Sequence, residues 1–334
     1  MIESRPPESL VATPGAMGKA MQTHDDDTVA DRRRAALKAI AAGGLALAGS
    51  AFGATHATTD SGLLRRRIPS SGELIAAVGL GTYDSFDVAD SASATLEPVL
   101  ARFVALGGQM VDSSPMYGRS EAMLGNLAAT LGLRDRLFLA TKVWTHGRVE
   151  GIRQIETSLD RLRTKHLELM QVHNLLDWQV HLPTLREWQQ QGRIRYLGVT
   201  HYHEAAYREL AAVLQAEKPD FVQLNYSMAE REAEVRLLPL AHDLGIAVIV
   251  NRPFAKSSLF ARVRGKLLPG WAAEFDCASW AQFFLKFILA QPAVTCVIPA
   301  TGKLPHLEDN LAAGHGRLPD ARQRARMAEH LAAI

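Results

Sequence analysis

The chain has 334 residues, of which 47% are apolar and 22% charged, with a formal net charge of +2. That charge gives no reason to expect a nucleic-acid or acidic-polymer partner, and the length suits one large core better than several small ones. Two cysteines, Cys277 and Cys296, exclude a disulfide framework and a cysteine-based zinc site.

In chain order, residues 1–57 read as a leader. A polar, acidic stretch ends at Asp25-Asp26-Asp27, Arg32-Arg33-Arg34 follows, and residues 39–54 are apolar, small and uncharged. That run is short for a membrane span, and it has the layout of a cleaved export signal. Arg33-Arg34-Ala35-Ala36-Leu37-Lys38 resembles the twin-arginine signal that exports folded proteins, and Thr55-His56-Ala57 is a small-x-small cleavage site. The expectation is a periplasmic protein without stable membrane insertion of the mature chain, with a cytoplasmic location as the alternative.

Residues 66–75, turning at Ser71-Gly72, read as a short N-terminal hairpin. Eight apolar, β-rich runs then recur: 76–81, 109–113, 137–142, 169–173, 196–200, 221–225, 247–251 and 295–299. Helical stretches separate them, such as 94–105, 119–131 and 151–162, the last with Ile152, Ile155, Leu159 and Leu162 at helical spacing. Near-continuous apolar strands imply a parallel sheet covered by helices. Eight such alternations over residues 58–334 predict an α/β fold, a (β/α)8 TIM barrel whose floor is plugged by the hairpin.

In barrels of this kind the chemistry gathers at the C-terminal ends of the strands. Asp112, Lys142 and His173 stand where the second, third and fourth runs end, and Tyr117 lies in the loop after the second. The four types are complementary. A phenol holds its proton at neutral pH, an ammonium beside it favours the phenolate, a carboxylate keeps that ammonium charged, and an imidazole can hydrogen-bond a carbonyl oxygen. Carbonyl reduction needs such a set together with a hydride donor.

The phrases G-L-G-T-Y (79–83), V-D-S-S-P-M-Y-G (111–118), T-K-V-W (141–144), V-H-N (172–174), G-V-T (198–200), V-Q-L-N-Y-S (222–227) and I-P-A-T (298–301) stand in one order. Together they make the chain resemble an aldo-keto reductase from about Ile68 to Asn310. The resemblance implies an oxidoreductase acting on a small-molecule carbonyl, with Tyr117 as general acid, His173 orienting the carbonyl, and the Asp112–Lys142 pair tuning Tyr117.

It also implies a nicotinamide dinucleotide laid across the barrel mouth. Ala300 and His306 stand where NADP-preferring relatives carry Lys and Arg, but Thr301 and Lys303 remain available, so NADP is expected in preference to NAD. Thr82, Tyr83 and Asp112 would lie near the nicotinamide ribose, and Thr200, His201 and Gln223 near its carboxamide. Asn251 stands where the family has a stacking aromatic, and His201 where it has asparagine. Arg252 and Lys256 would grip the pyrophosphate, while Thr301, Lys303, His306, Asp309 and Asn310 would hold the adenosine part. Tyr83, Trp144 and Trp178 would line the substrate pocket.

Two other readings compete. His201, His203, His173, Asp112 and His146 could serve a metal-dependent barrel enzyme, although the reading adopted has no metal. A non-catalytic, dinucleotide-sensing or accessory subunit could share the fold. Export adds a further expectation: either the cofactor is retained tightly, or an unknown redox partner recycles it.

Overall fold

The computed structural model describes residues 62–334. The expected leader, its arginine pair and its cleavage site lie outside those residues.

A hairpin comes first. Strand β1, Arg65–Arg67, pairs antiparallel with β2, Leu74–Ala76. Between them the Ile68 carbonyl accepts from the Ser71 and Gly72 amides, and Gly72 has the positive φ (77°) that closes the turn. Eight strands and their helices follow. They run β3 (Leu80–Gly81), α1 (Ser93–Ala105), β4 (Met110–Asp112), α2 (Ser120–Thr130), β5 (Phe138–Val143), α3 (Arg148–Arg161), β6 (Leu167–His173), α4 (Trp178–Gln190) and β7 (Ile194–His201). The chain continues through α5 (Tyr207–Glu217), β8 (Phe221–Asn225), α6 (Leu237–Asp243), β9 (Ala247–Asn251), α7 (Ser258–Arg262), α8 (Trp280–Leu289), β10 (Val294–Val297), α9 (Leu304–Ala312) and α10 (Ala321–Ala333).

Strands β3 to β10 form one parallel sheet in sequence order. Its two edges meet through the bridges Val78↔Val297 and Gly81↔Ala300, so the sheet closes into the (β/α)8 barrel the sequence predicts. The first predicted run is longer than the strand that forms, because Val78 and Gly79 pair directly with Val297 in the seam.

Alternation along each strand sorts the side chains into two cores. Outward residues such as Leu139, Val143, Met170, Val172, Val222, Leu224, Val248 and Val250 pack beneath the helices in the large core. Inward residues Met110, Phe138, Ala140, Leu169, Tyr196, Phe221, Ala247, Ile249, Cys296 and Ile298 form a second cluster inside the barrel. The hairpin's Ile68 and Ile75 belong to that inner cluster and are 0% and 1% exposed, so the hairpin seals the floor. Each such side chain taken out of water contributes about 1.5–3 kcal/mol.

The same parity carries function. Continuing inward from Met110, the next residue is Asp112; from Ala140, Lys142; from Leu169, Gln171 and then His173. From Phe221 it is Gln223, and from Ile249, Asn251. The layer above the apolar floor is therefore polar on five of the eight strands, β4, β5, β6, β8 and β9.

Gly198 leaves room for it. A Cβ there would lie 3.0 Å from the Phe221 carbonyl oxygen and 3.1 Å from Cγ of Gln171.

Candidate active site

Two buried groups anchor the polar layer. Lys142 Nζ donates to Asp112 Oδ2 at 2.6 Å and to the Ser113 carbonyl at 2.7 Å, and the Lys142 side chain is 0% exposed. Tyr117 reaches them from a tight turn in which its amide donates to the Ser114 carbonyl at 3.0 Å. Gly118 adopts φ 57°, and the Asp87 carboxylate occupies the space where its Cβ would be. That carboxylate also accepts from the Arg119 amide at 2.9 Å, which fixes the start of α2. The Lys142 ammonium lies 4.9 Å from the centroid of the Tyr117 ring. His173 stands edge-on to that ring, with centroids 6.0 Å apart. The four residues proposed from the sequence thus come together.

Their protonation follows from burial and charge. Burial pushes the Tyr117 phenol above its ordinary value, and the Lys142 ammonium offsets only part of that. The net direction is upward, opposite to what the ammonium alone would produce. Burial would lower Lys142, but the Asp112 carboxylate, joined by Tyr117 once that phenol is ionised, outweighs it and holds the ammonium above its usual range. Burial first, then the positive field of Lys142 and His201, pushes His173 down to about 2. At neutral pH the group comprises a protonated phenol, a charged amine and an uncharged imidazole.

Amides tie this group to the far side of the mouth. Asp112 Oδ1 accepts from Gln171 Nε2 at 3.1 Å and from Gln223 Nε2 at 2.9 Å. Gln223 Oε1 in turn accepts from Asn251 Nδ2 at 3.3 Å. Asn251 is therefore part of a polar relay that reaches Lys142. Gln171 and Ser114, which hydrogen-bonds His173, are site residues that the sequence reading missed.

Exposed rings and thioether rim the opening. Tyr83 packs edge-on against Tyr117 at 5.1 Å, and Trp144 lies 6.3 Å from His173. Gln154 of α3 clamps Trp144 by accepting from its amide at 2.5 Å and donating to its carbonyl at 3.2 Å. Met116 and Tyr202, also missed, are exposed there too. Trp178 begins α4 and packs on the large core, away from these ring contacts. Beside the mouth runs a surface groove of about 480 Å³ lined by Arg153 and Arg161. Those arginines are paired with Glu150 and Glu121, so the groove is not the candidate site.

The residues expected to meet a dinucleotide differ in availability. Thr82 Oγ1 donates to the Asp112 carbonyl at 3.0 Å, and Thr200 is buried beside Gln223 on the neighbouring strand. His201 stacks on Tyr202 at 5.8 Å. Arg252 pairs with Glu230 at 3.3 Å and donates to the Tyr202 carbonyl at 3.2 Å, joining three mouth loops. Lys256, Lys303 and His306 are exposed. Thr301 accepts from the Lys303 amide at 3.1 Å, and Asn310 is buried. Asp309 is occupied, accepting from Ser279 Oγ at 2.8 Å and Gln282 Nε2 at 2.7 Å to fasten the start of α8.

Whether a polar ligand fits can be judged from unsatisfied atoms. Among the described residues, five side-chain atoms are buried without a hydrogen-bond partner: Ser158 Oγ, in α3, and Asn174 Oδ1, Glu230 Oε2, Asn251 Oδ1 and Arg252 Nε. The last four lie at or beyond the C-terminal ends of β6, β8 and β9, where a buried orphan calls for a partner. Arg252, Ala255, Lys256 and Ser257 also hold positive φ in the loop after β9, a strain typical of ligand clamps. The Asn174 and Asn251 amide oxygens and the Glu230 carboxylate oxygen suit donors such as a carboxamide NH2 or a sugar hydroxyl, and Arg252 Nε with the Lys256 ammonium suits a phosphate. No group of three or more His, Cys, Asp or Glu side chains among the described residues could hold a metal ion.

A model of the Aldo/keto reductase family matches residues 77–331. The chain belongs to the aldo/keto reductase family. It is 29% identical over 259 residues to methylglyoxal reductase YeaE of Escherichia coli, an alignment covering 74% of this chain and 89% of that protein. It is 26% identical over 259 residues to aldo-keto reductase str7 of Strobilurus tenacellus, covering 65% and 75%. An aldo/keto reductase from Klebsiella pneumoniae, solved with NADP and acetate, shares the fold with a TM-score of 0.67 at 23% identity, covering 78% of this chain and 93% of that one. Membership makes this aldo/keto reductase an oxidoreductase of a family acting on small carbonyl compounds, and its barrel mouth carries the polar layer described above.

Proposed function

We propose that the chain reduces a small aldehyde or ketone to the alcohol, with Tyr117 as the general acid. The observation that carries this reading is the buried Lys142–Asp112 pair, 2.6 Å apart, beneath the Tyr117 ring. A bound nicotinamide dinucleotide would supply the hydride. The chain's own groups would do the rest. His173, uncharged, hydrogen-bonds the carbonyl oxygen and fixes its position. Tyr117 donates its proton to that oxygen as negative charge develops there. Lys142 stabilises the resulting phenolate, and Asp112 keeps Lys142 charged in a buried setting where an unpaired ammonium would be costly. Tyr83, Met116 and Trp144 offer apolar surface to the substrate and exclude water.

Thr200, His201, Gln223 and Asn251 would meet the carboxamide, and Arg252 and Lys256 the pyrophosphate. Thr301, Lys303, His306 and Asn310 would meet the adenosine end, with Asp309 fastening the helix behind them. NADP is the proposed dinucleotide, supported by Thr301 and by the exposed Lys303 at the start of α9. Residues 1–57 are proposed to export the folded chain, and replacing Arg33 and Arg34 by Lys should leave it in the cytoplasmic fraction.

Oxidation of NADPH and NADH is the test, followed at the absorbance of the reduced nicotinamide. Methylglyoxal and a reactive aromatic aldehyde serve as substrates, and the parent is compared with Tyr117→Phe. Turnover abolished by that one hydroxyl supports the reading. Cofactor binding without turnover in the parent would support a sensing subunit instead.

A further inference from the structure

We propose that Ser114 is a positioning residue that donates its hydroxyl hydrogen to Nδ1 of His173. The imidazole is thereby locked in the tautomer that carries its hydrogen on Nε2.

Ser114 is 0% exposed, and its Oγ lies 3.1 Å from His173 Nδ1. The same oxygen accepts from the Met116 amide at 3.4 Å, a turn of the kind serine makes with the residue two positions on. A serine hydroxyl has one hydrogen to give and two lone pairs to accept with. No other acceptor for that hydrogen is found among the described residues. If His173 carried its hydrogen on Nδ1, the serine oxygen would receive two donors while its own hydrogen remained buried and unpaired. If the serine donates instead, its hydrogen, its oxygen and Nδ1 are all satisfied. Leaving a buried polar hydrogen unpaired is unfavourable enough to select one tautomer.

Protonation of both nitrogens is no escape. The ring is surrounded by Lys142, whose charge repels a second proton, and by Tyr117, Trp144 and His201, none of which carries a negative charge at neutral pH. Asp112, the nearest carboxylate of the group, is already engaged by Lys142, Gln171 and Gln223. His173 is therefore neutral, and its one hydrogen is assigned by Ser114.

The consequence for turnover rests on the reductase reading. With the hydrogen on Nε2, the substrate oxygen meets two donors, the imidazole and the Tyr117 phenol. With the other tautomer it would meet one donor and one lone pair, which would repel it. Nothing in the phrase V-D-S-S-P-M-Y-G distinguishes Ser114 from Ser113, whose own hydroxyl faces Thr82 Oγ1 at 3.0 Å. The assignment comes from the spatial meeting of the β4 loop with the end of β6.

The tautomer is read directly from proton–nitrogen correlation spectra of the full chain labelled with ¹⁵N in its 12 histidines. The His173 ring is assigned by its loss in His173→Asn. The parent should show hydrogen on Nε2 and a bare, hydrogen-bonded Nδ1, unchanged between about pH 5 and 8. Ser114→Ala should bring in the other tautomer and lower kcat about tenfold, with the KM for dinucleotide unchanged. Ser114→Thr, which keeps the hydroxyl, should restore both the spectrum and the rate.

Hydrogen on Nδ1 in the parent overturns the assignment whatever the variants do, including a Ser114→Ala chain that does not fold. An unaltered tautomer in a folded Ser114→Ala overturns it as well. A parent that turns over no carbonyl strikes the reductase reading alone, since the spectrum judges the tautomer independently of any reaction.

Discussion

The floor and the mouth of this barrel are built from the same strands, two or three residues apart, and obey opposite rules. On the floor, Met110, Phe138, Leu169 and Phe221 interlock with Ile68 and Ile75 of the hairpin, and the packing is apolar except for the Tyr196 hydroxyl, which escapes to Ser71 and Glu73. At the mouth, Asp112, Lys142, Gln171 and Gln223 are as thoroughly buried but polar, each satisfied by another member of the set, and His173 is satisfied by Ser114. The floor contributes stability through contact area, with no demand on any one partner. The mouth is a fixed pattern of charges and hydrogens, in which losing one member strands the others. Stability should therefore be damaged from the floor in proportion to volume, and chemistry from the mouth atom by atom.

The sharpest break in the comparison is Tyr117→Phe. It removes one oxygen from the mouth and should lower kcat about a thousandfold, with thermal unfolding unchanged within error. The opposite dissociation comes from the floor. Phe221→Ala should destabilise the chain by about 3 kcal/mol or more in denaturant titration, while the fraction that stays folded keeps its kcat.

A variant that crosses the boundary is Asp112→Asn. It leaves Lys142 buried without a carboxylate, so it should both slow turnover and lower stability by about 3 kcal/mol. An Asp112→Asn chain as stable as its parent would mean that the mouth is better solvated than its burial indicates.

The pH profile refines the picture at the mouth. Tyr117 must hold its proton, and its folded value is raised, so reduction should persist through neutral pH and fall only as the pH climbs through that raised value. His173 is held near 2 and contributes no step around pH 6.5. A rate that dropped with a midpoint there would contradict the neutral imidazole. The smallest effect belongs to neither region. Arg102→Ala breaks an exposed pair with Glu308, whose side chains are both more than 40% exposed, and should shift stability by less than about 1 kcal/mol.

Much of this comparison was legible in the residues themselves. Buried parallel strands announce themselves as unbroken apolar runs, so all eight barrel strands were readable, and the hairpin was readable from its Ser-Gly turn. Asp112, Lys142 and His173 stood out because a charged or titratable side chain closes an apolar run. Gln171 did not, being an uncharged residue inside a run, although its parity with Leu169 and His173 points it inward. Its task depends on the register that sets β6 against β4 and β8, which no single segment encodes. Ser114 was hidden for the same reason. The sequence places Arg252 and Asp309 at the cofactor but does not show that Glu230, Ser279 and Gln282 engage them, because those partners come from other segments of the chain.

The closure of the barrel has one more implication. Strand β3 is two residues long, and the sheet's first and last edges touch through two bridges, whereas β6 and β7 share a register six pairs long. Amide hydrogen exchange should accordingly be fastest along the line from Val78 to Gly81 and slowest in β6 and β7. Thr82 and Thr301 flank the upper end of that line. Transient parting there would widen the rim on one side only, letting an elongated molecule peel away sideways instead of withdrawing along the barrel axis.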